Sequence, residues 1–204
     1  MATRPRTRLA PDARREEILD HARQLFGTRS YAAVSASEIA RAAGVTPALV
    51  SHYFPGGKRD IFLALVAQLT ETVLETIHAD SARPVRERVA ATIENWLDWL
   101  QANSETWLAT AAQGDYIPDP DLQALVDAAR DRTVDTLISD YSDVLSDYPG
   151  IRLMLRNWLG FNRAASRSWL TGEADRAQTA LLLAETLYHL ITTVAPTLET
   201  LERP

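Results

Sequence analysis

The sequence predicts an all-α protein of about nine helices, a small three-helix unit at the N-terminus followed by a larger helical body. Three observations predict it. Ala, Leu, Arg, Glu and Asp dominate the 204 residues, while the 8 glycines and 10 prolines stand in clusters between apolar runs. Within those runs apolar residues recur at three-to-four spacing, and no stretch alternates with period two as a half-buried strand does. Several runs also open on a side chain suited to cap a helix and close on glycine.

The first helix is expected from Pro11 or Asp12 to Phe26, with Ile18, Ala22, Leu25 and Phe26 on one face and Gly27 as its stop. Ser35-Ala36-Ser37-Glu38 is a capping box, hydroxyl and carboxylate each satisfying a backbone donor, so a short second helix starts there and ends at Gly44. Thr46 caps a third, whose first position is Pro47, where the missing N–H costs no hydrogen bond. Pro55-Gly56-Gly57 ends it after Phe54. A fourth helix from Lys58 carries Ile61, Phe62, Leu65, Leu69, Val73 and Ile77. Pro84 opens a fifth with the stripe Val85, Val89, Ile93, Trp96, Leu97 and Leu100. Ser104 is expected to cap a sixth, which frays into an irregular loop at Gly114 to Pro118. Asp119-Pro120 restarts the pattern, and the last two helices should run from about Ile151 to Leu170 and from Ala174 to Val194.

Composition narrows the function. With no cysteine, disulfides and thiolate metal sites are excluded, and the four histidines (His21, His52, His78, His189) lack metal-ligand spacing, so neither metal nor cofactor is expected. No apolar run approaches the roughly 20 residues of a membrane span, so no membrane partner is expected, and the basic first residues precede no apolar segment. The reading is cytoplasmic. No nucleophile elbow, phosphate loop or dinucleotide fingerprint appears, which argues against an enzyme. The net charge of −6 is unevenly laid out. Residues 1–60 hold ten Lys/Arg against six acids, a local +4 that leaves −10 for the rest. Phosphate needs local positive charge, and an acidic body limits non-specific adhesion.

The informative stretch is Ser35 to Tyr53: capped helix, Gly44-Val45 turn, capped helix. Two short helices joined by a glycine-bearing turn form a helix-turn-helix, whose second helix enters the major groove. Ile39, Ala40, Val45 and Val50 point inward, leaving Thr46, Pro47, Ala48, Leu49, Ser51, His52 and Tyr53 for the outer face. Arg15 to Leu19, Leu25-Phe26, Tyr31, Ser35 to Ala40, Ala43 to Thr46 and Ser51 to Pro55 resemble the N-terminal domain of the TetR (tetracycline repressor) family, over about residues 14 to 66. The resemblance implies a homodimer on pseudo-palindromic operator DNA, released by a small-molecule effector held in the C-terminal body. It implies phosphate contacts from Ser35 and Ser37, base reading by Thr46, Pro47, Ala48 and Ser51, and further phosphate contacts from His52, Tyr53 and Lys58. The chain departs from the pattern in its short, apolar reading surface, which has no Arg, Asn or Gln for a bidentate base contact. Arg4, Arg6 and Arg8 are therefore expected to add binding, in an adjacent minor groove. The loop before Lys58 is also one residue longer than the common family form.

The division expected is 1–57, a helix-turn-helix DNA-binding domain with a basic arm, and 58–204, a helical ligand-binding and dimerisation domain. The resemblance places dimerisation on the last two helices, where Met154, Trp158, Phe161, Ala165, Ala184, Leu187, Tyr188 and Ile191 form apolar bands. Spacing alone does not separate such bands from intrachain core. For an apolar pocket with few polar anchors the candidates are Trp96, Trp99, Trp107, Tyr116, Trp158 and Asn162, with Arg163, His78 and His189 as further polar partners. The effector expected is moderately large and mostly apolar. The alternative is a dimeric DNA-binding protein with no small-molecule effector.

Overall fold

Helix α1 (Pro11–Thr28) turns Ile18, Leu19, Ala22 and Phe26 inward, each fully buried. A 3₁₀ turn (Tyr31–Ala33) leads to α2 (Ala36–Ala42) and α3 (Pro47–Tyr53). The long α4 (Lys58–Thr76) follows, then α5 (Val85–Ala102), α6 (Ser104–Ala109), α7 (Pro120–Asp140) and α8 (Pro149–Leu170). The last rod is α9 (Arg176–His189), which passes without a break through a π-helical turn (Leu190–Val194) into α10 (Ala195–Glu202). The computed structural model describes residues 11–76, 78, 80–110 and 119–202, and among these there are nine helical rods and no strand.

The caps explain most boundaries. The Ser35–Glu38 box closes reciprocally, and Thr46 Oγ1 accepts the Leu49 N–H at 3.2 Å with Pro47 next in line. Asp119 caps α7 above Pro120, and Asp175 forms a second box with Gln178 at the start of α9. Three boundaries differ from the sequence reading. Helix α1 continues through Gly27 to Thr28. Gly27 keeps a helical φ there, and the Glu105 carbonyl of α6 passes 3.6 Å from where its Cβ would stand. Asn103, not Ser104, is the N-cap of α6, and it makes no side-chain cap bond. The final helix does not stop at Val194. Pro196 would clash with the carbonyl four residues back in a regular α-helix, and the wider π turn just before it absorbs the misfit.

That continuous rod gives one apolar stretch longer than the sequence reading counted: Arg176–Leu201 is long and apolar enough to cross a membrane by length and composition alone (mean hydropathy 1.3). Only 22% of the window is buried within the chain.

Two apolar cores result. The head core joins α1, α2 and α3 to Ile61, Phe62 and Leu65 of α4, and Phe26, Tyr31 and Phe62 meet there with ring centroids 5.0 to 6.0 Å apart. It also takes in Ala109, Leu122 and Val126 from the body. Helix α1 packs along α6, so α4 is the covalent bridge from head to body but not the only contact between them. The body core gathers α5, α7, α8 and α9 with the second half of α4. Arg88 is pinned inside it, paired with Asp143 at 2.8 Å and lying 5.0 Å from the Tyr141 ring centroid. That guanidinium holds the Asp143 carboxyl below its usual range.

Candidate nucleic-acid interface and body cavity

Gly44, at φ +62°, supplies the left-handed residue that turns α2 into α3, and the Val45 N–H closes the turn on Ala40 O at 2.9 Å. Val50 is then buried and anchors α3 to the head core. Its other face is free: Thr46, Pro47, Ala48, Ser51 and His52 are exposed, and Leu49 and Tyr53 are half-buried. The His52 and Tyr53 rings meet edge to face at 5.1 Å. The surface is short and mostly apolar, suited to thymine methyls and single hydrogen bonds.

The flanking residues are more constrained than the sequence indicated. Ser37 is exposed. The Ser35 hydroxyl accepts the Glu38 N–H and donates to the Glu38 carboxylate at 2.8 Å, so its proton is already engaged. Arg29 also bonds Glu38 at 2.8 Å. The Arg29 bond first, and the Ser35 bonds next, hold the Glu38 carboxyl down at about 2. Lys58 turns back on the head, donating to Tyr31 O at 2.9 Å with its Nζ 4.1 Å from the Tyr31 ring centroid, and burial lowers its pKa. Arg4, Arg6 and Arg8 lie outside the described residues.

In the body the structure brings Trp96, Trp99, Trp107, Trp158 and Asn162 together on one cavity of about 670 Å³. Tyr116 lies outside the described residues. Trp96 and Trp99 stack at 5.3 Å, and Trp107 meets Trp96 edge-on at 6.3 Å. Trp96 Nε1 donates to Ser166 Oγ at 3.1 Å, and Ser166 donates to Asn162 Oδ1 at 3.0 Å. Arg163 also lines the space. His78 instead faces Asp140 at 3.3 Å from an exposed position, and His189 is exposed on α9.

Sequence reasoning missed the polar wall of this cavity. Arg156 grips Asp131 through two nitrogens at 2.7 and 2.9 Å, and Arg130 pairs with Asp127 at 3.0 Å. The second pair has the i,i+3 spacing of a helix and was visible in the sequence. The first joins α7 to α8 across 25 residues and left no local sign.

The residues expected at the dimer interface divide. Met154, Trp158, Leu187 and Ile191 are buried in the chain's own core, because the helical band that faces α5 and α7 carries the same spacing as one that would face a partner. Ala165, Ala184 and Tyr188 are half-buried, and Phe161 is exposed. The apolar surface left outward on α8 and α9 is Leu153 (61% exposed), Phe161 (40%), Leu181 (64%) and Leu182 (51%).

An outward reading helix on a three-helix head, carried by a helical body with an aromatic cavity, defines a helix-turn-helix transcription regulator. Residues 18–65 match the family model for bacterial regulatory proteins of the tetR family, and residues 85–192 match the tetracyclin repressor-like C-terminal domain. The chain belongs to the TetR family of DNA-binding transcription regulators. It is 25% identical to the transcriptional activator FasR of Mycolicibacterium smegmatis over 81% of this chain and 76% of that one. It is 38% identical to the transcriptional regulator BetI of Rhizobium meliloti over 52% of this chain, and it spans about half (53%) of that relative. The fold is shared with FadR of Bacillus subtilis, solved with stearoyl-CoA, at a TM-score of 0.65 and 17% identity, covering 87% of this chain and 97% of that one.

Proposed function

We propose that this protein is a cytoplasmic, non-enzymatic repressor: a homodimer whose α3 helices read two half-sites of a pseudo-palindromic operator, and which a largely apolar effector releases. The working units are the head, 1–57, and the body, 58–204. The observation that carries the effector half of this reading is the double use of α4. Ile61, Phe62 and Leu65 close the head core, while Val66, Leu69, Thr70 and Val73 of the same helix wall the cavity. A molecule that prefers a different placing of α4 also prefers a different placing of the head, so its binding shifts the population away from the DNA-competent spacing. The volume is within the roughly 300–1,000 Å³ of small-molecule sites. FadR, whose fold this chain shares, was solved with an acyl-CoA, which supports an apolar effector of substantial size here.

Base reading is assigned to Thr46, Pro47, Ala48 and Ser51, and phosphate gripping to Ser37, His52, Tyr53 and the Arg4, Arg6 and Arg8 arm. Lys58 joins the phosphate set if DNA draws it off Tyr31. Ser35 acts chiefly through its cap. The partner copy packs on Leu153, Phe161, Leu181 and Leu182, an exposed apolar surface that a lone subunit would leave in water. One reading helix offers little affinity, and two half-sites a helical turn apart supply the rest.

The test is fluorescence anisotropy on the DNA upstream of the gene, repeated with metabolite fractions that raise the melting temperature of the protein. A rise in anisotropy on adding the protein, reversed by such a fraction, is the expected result. DNA binding that no stabilising compound alters would leave a regulator without an effector. Failure to bind any upstream DNA would end the reading.

A further inference from the structure

Among the described residues, the buried polar side chains that wall the body cavity are Thr70, Thr92, Thr110 and Asn162. The three threonines have their hydroxyls engaged. Thr70 donates to Val66 O at 2.9 Å and Thr110 to Thr106 O at 2.8 Å, each one turn back, while Thr92 shares a bond with the Tyr141 hydroxyl at 3.1 Å. Asn162, 6% exposed, differs. Its Oδ1 accepts the Ser166 proton at 3.0 Å, but its Nδ2 donates to no described residue. That nitrogen is nevertheless not sealed in: the closed-off atoms without a partner are Arg23 Nε, Arg88 Nε and the indole nitrogens of Trp99 and Trp158. The open space beside this buried amide is the cavity it lines, so its NH₂ group faces that cavity.

Which end of the amide faces inward is set from behind. Asn162 and Ser166 stand four residues apart on α8, one above the other on the same face. Ser166 is fully buried and accepts the Trp96 N–H at 3.1 Å, and its own proton passes to Asn162 Oδ1. An indole N–H can only donate, a hydroxyl has one proton, and an amide has one accepting end and one donating end. The relay therefore runs one way, from Trp96 through Ser166 to Asn162. Turning the amide over would deprive the Ser166 proton of its acceptor in a dry interior, which is costly.

We propose that Asn162 is the polar anchor of the effector site, its amide N–H groups binding a carbonyl-type oxygen on an apolar frame, and that Ser166 is the positioning residue that keeps this anchor a donor. This rests on reading the cavity as the effector site. A ligand whose only polar group is itself a donor, an amine above all, meets the wrong end of the amide. A cation is further disfavoured because Arg130, Arg156 and Arg163 outnumber Asp127 and Asp131 on the same wall.

The experiment compares three probes of one shape on the full-length protein: 2-acetylnaphthalene, 2-isopropenylnaphthalene, in which a CH₂ replaces the oxygen, and 1-(2-naphthyl)ethylamine. Calorimetry gives their affinities, and infrared difference spectra give the carbonyl stretch of the bound, ¹³C-labelled ketone. The ketone should bind about tenfold more tightly than the hydrocarbon, with the amine weakest, and its carbonyl band should lie at lower frequency than in an apolar solvent. Asn162→Leu should keep hydrocarbon binding, lose the ketone's advantage and return the carbonyl band to its apolar position. Ser166→Ala frees the amide to turn, so the ketone's lead over the amine should narrow several-fold while hydrocarbon binding holds.

Equal binding of hydrocarbon and ketone, or a carbonyl band that Asn162→Leu does not move, overturns the anchor while leaving the cavity as a binding site. An unchanged lead of ketone over amine in Ser166→Ala overturns the positioning role. Binding of none of the three removes the effector reading as well. Should Asn162→Leu fail to fold, Asn162→Asp takes its place: it keeps the size and the oxygen that Ser166 needs, and it should lose the ketone's advantage and favour the amine.

Discussion

Phe26, Tyr31 and Phe62 close on one another at the centre of the head, whereas Trp96, Trp99 and Trp107 in the body stand around open volume. Both are aromatic trios drawn from neighbouring helices, and both rest against α4. The head trio fills its space and leaves α3 a single position relative to α1. The body trio holds a space, so the helices around it can settle at more than one separation. A reading element needs the first property and a sensing element the second, and one chain provides both by changing what the rings pack against. Close-packed interiors transmit displacement because they do not deform smoothly, so under the proposed function an adjustment at the cavity would be passed to the head through α4.

The sharpest way to break this contrast is to hollow out the head. Phe62→Ala should cost about 3–5 kcal/mol, because its neighbours are held by three other helices and cannot collapse into the gap. Denaturant unfolding checks the stability, and loss of DNA binding should accompany it. A loss below 1 kcal/mol would mean that the head is as loosely packed as the body. Thr46→Ala comes next. It removes a cap worth roughly 0.5–2 kcal/mol and should also change operator preference by about 1–3 kcal/mol at one base pair. Unchanged preference would move the reading surface off the start of α3.

Lys58→Ala sharpens the comparison at its boundary, where α4 begins. If the amine leaves Tyr31 for a phosphate, the salt dependence of DNA binding should flatten by about one unit. A constant slope would keep Lys58 as a brace between the 3₁₀ turn and α4. The smallest effect concerns acid. The folded-state pKa of Glu38, about 2, lies below the ordinary glutamate value of 4.5, so its contribution is fully present above pH 4.5 and is lost as pH falls towards 2. Glu38→Gln should therefore flatten the acid limb of the head's stability over that interval, measured by melting at successive pH values. The body's acid limb should not change.

How much of this was legible in the sequence depended on how local the cause was. Ser35, Thr46, Asp119 and Gly44 act within four residues of themselves, and each could be assigned by inspection. The outward face of α3 followed from the same reasoning, since burying Val50 fixes where the rest of a short helix points. The errors came where partners are distant. Gly27 looks like a helix stop until α6 is seen lying against it. Met154 and Trp158 have the spacing of an interface, and only the position of α5 and α7 shows that the chain covers them itself. The cavity's aromatic members could be named from composition, but the state of their N–H groups could not. It depends on whether one serine, Ser166, reaches one indole and not the others.

The pairing of α8 with α9 and α10 bears on where movement can originate. The Tyr148 hydroxyl donates to Ala195 O at 3.0 Å at one end of this pair. At the other, the Glu173 N–H bonds Ser168 O at 2.8 Å, just before the Asp175 cap. The first bond ties the start of α8 to the last helix, the second closes the short turn that sets α9 back along α8, and the pair lies together as one plate. In the proposed dimer, two such plates in contact leave no fulcrum between them, and a swing of the heads would then be generated inside each subunit, between the plate and α4.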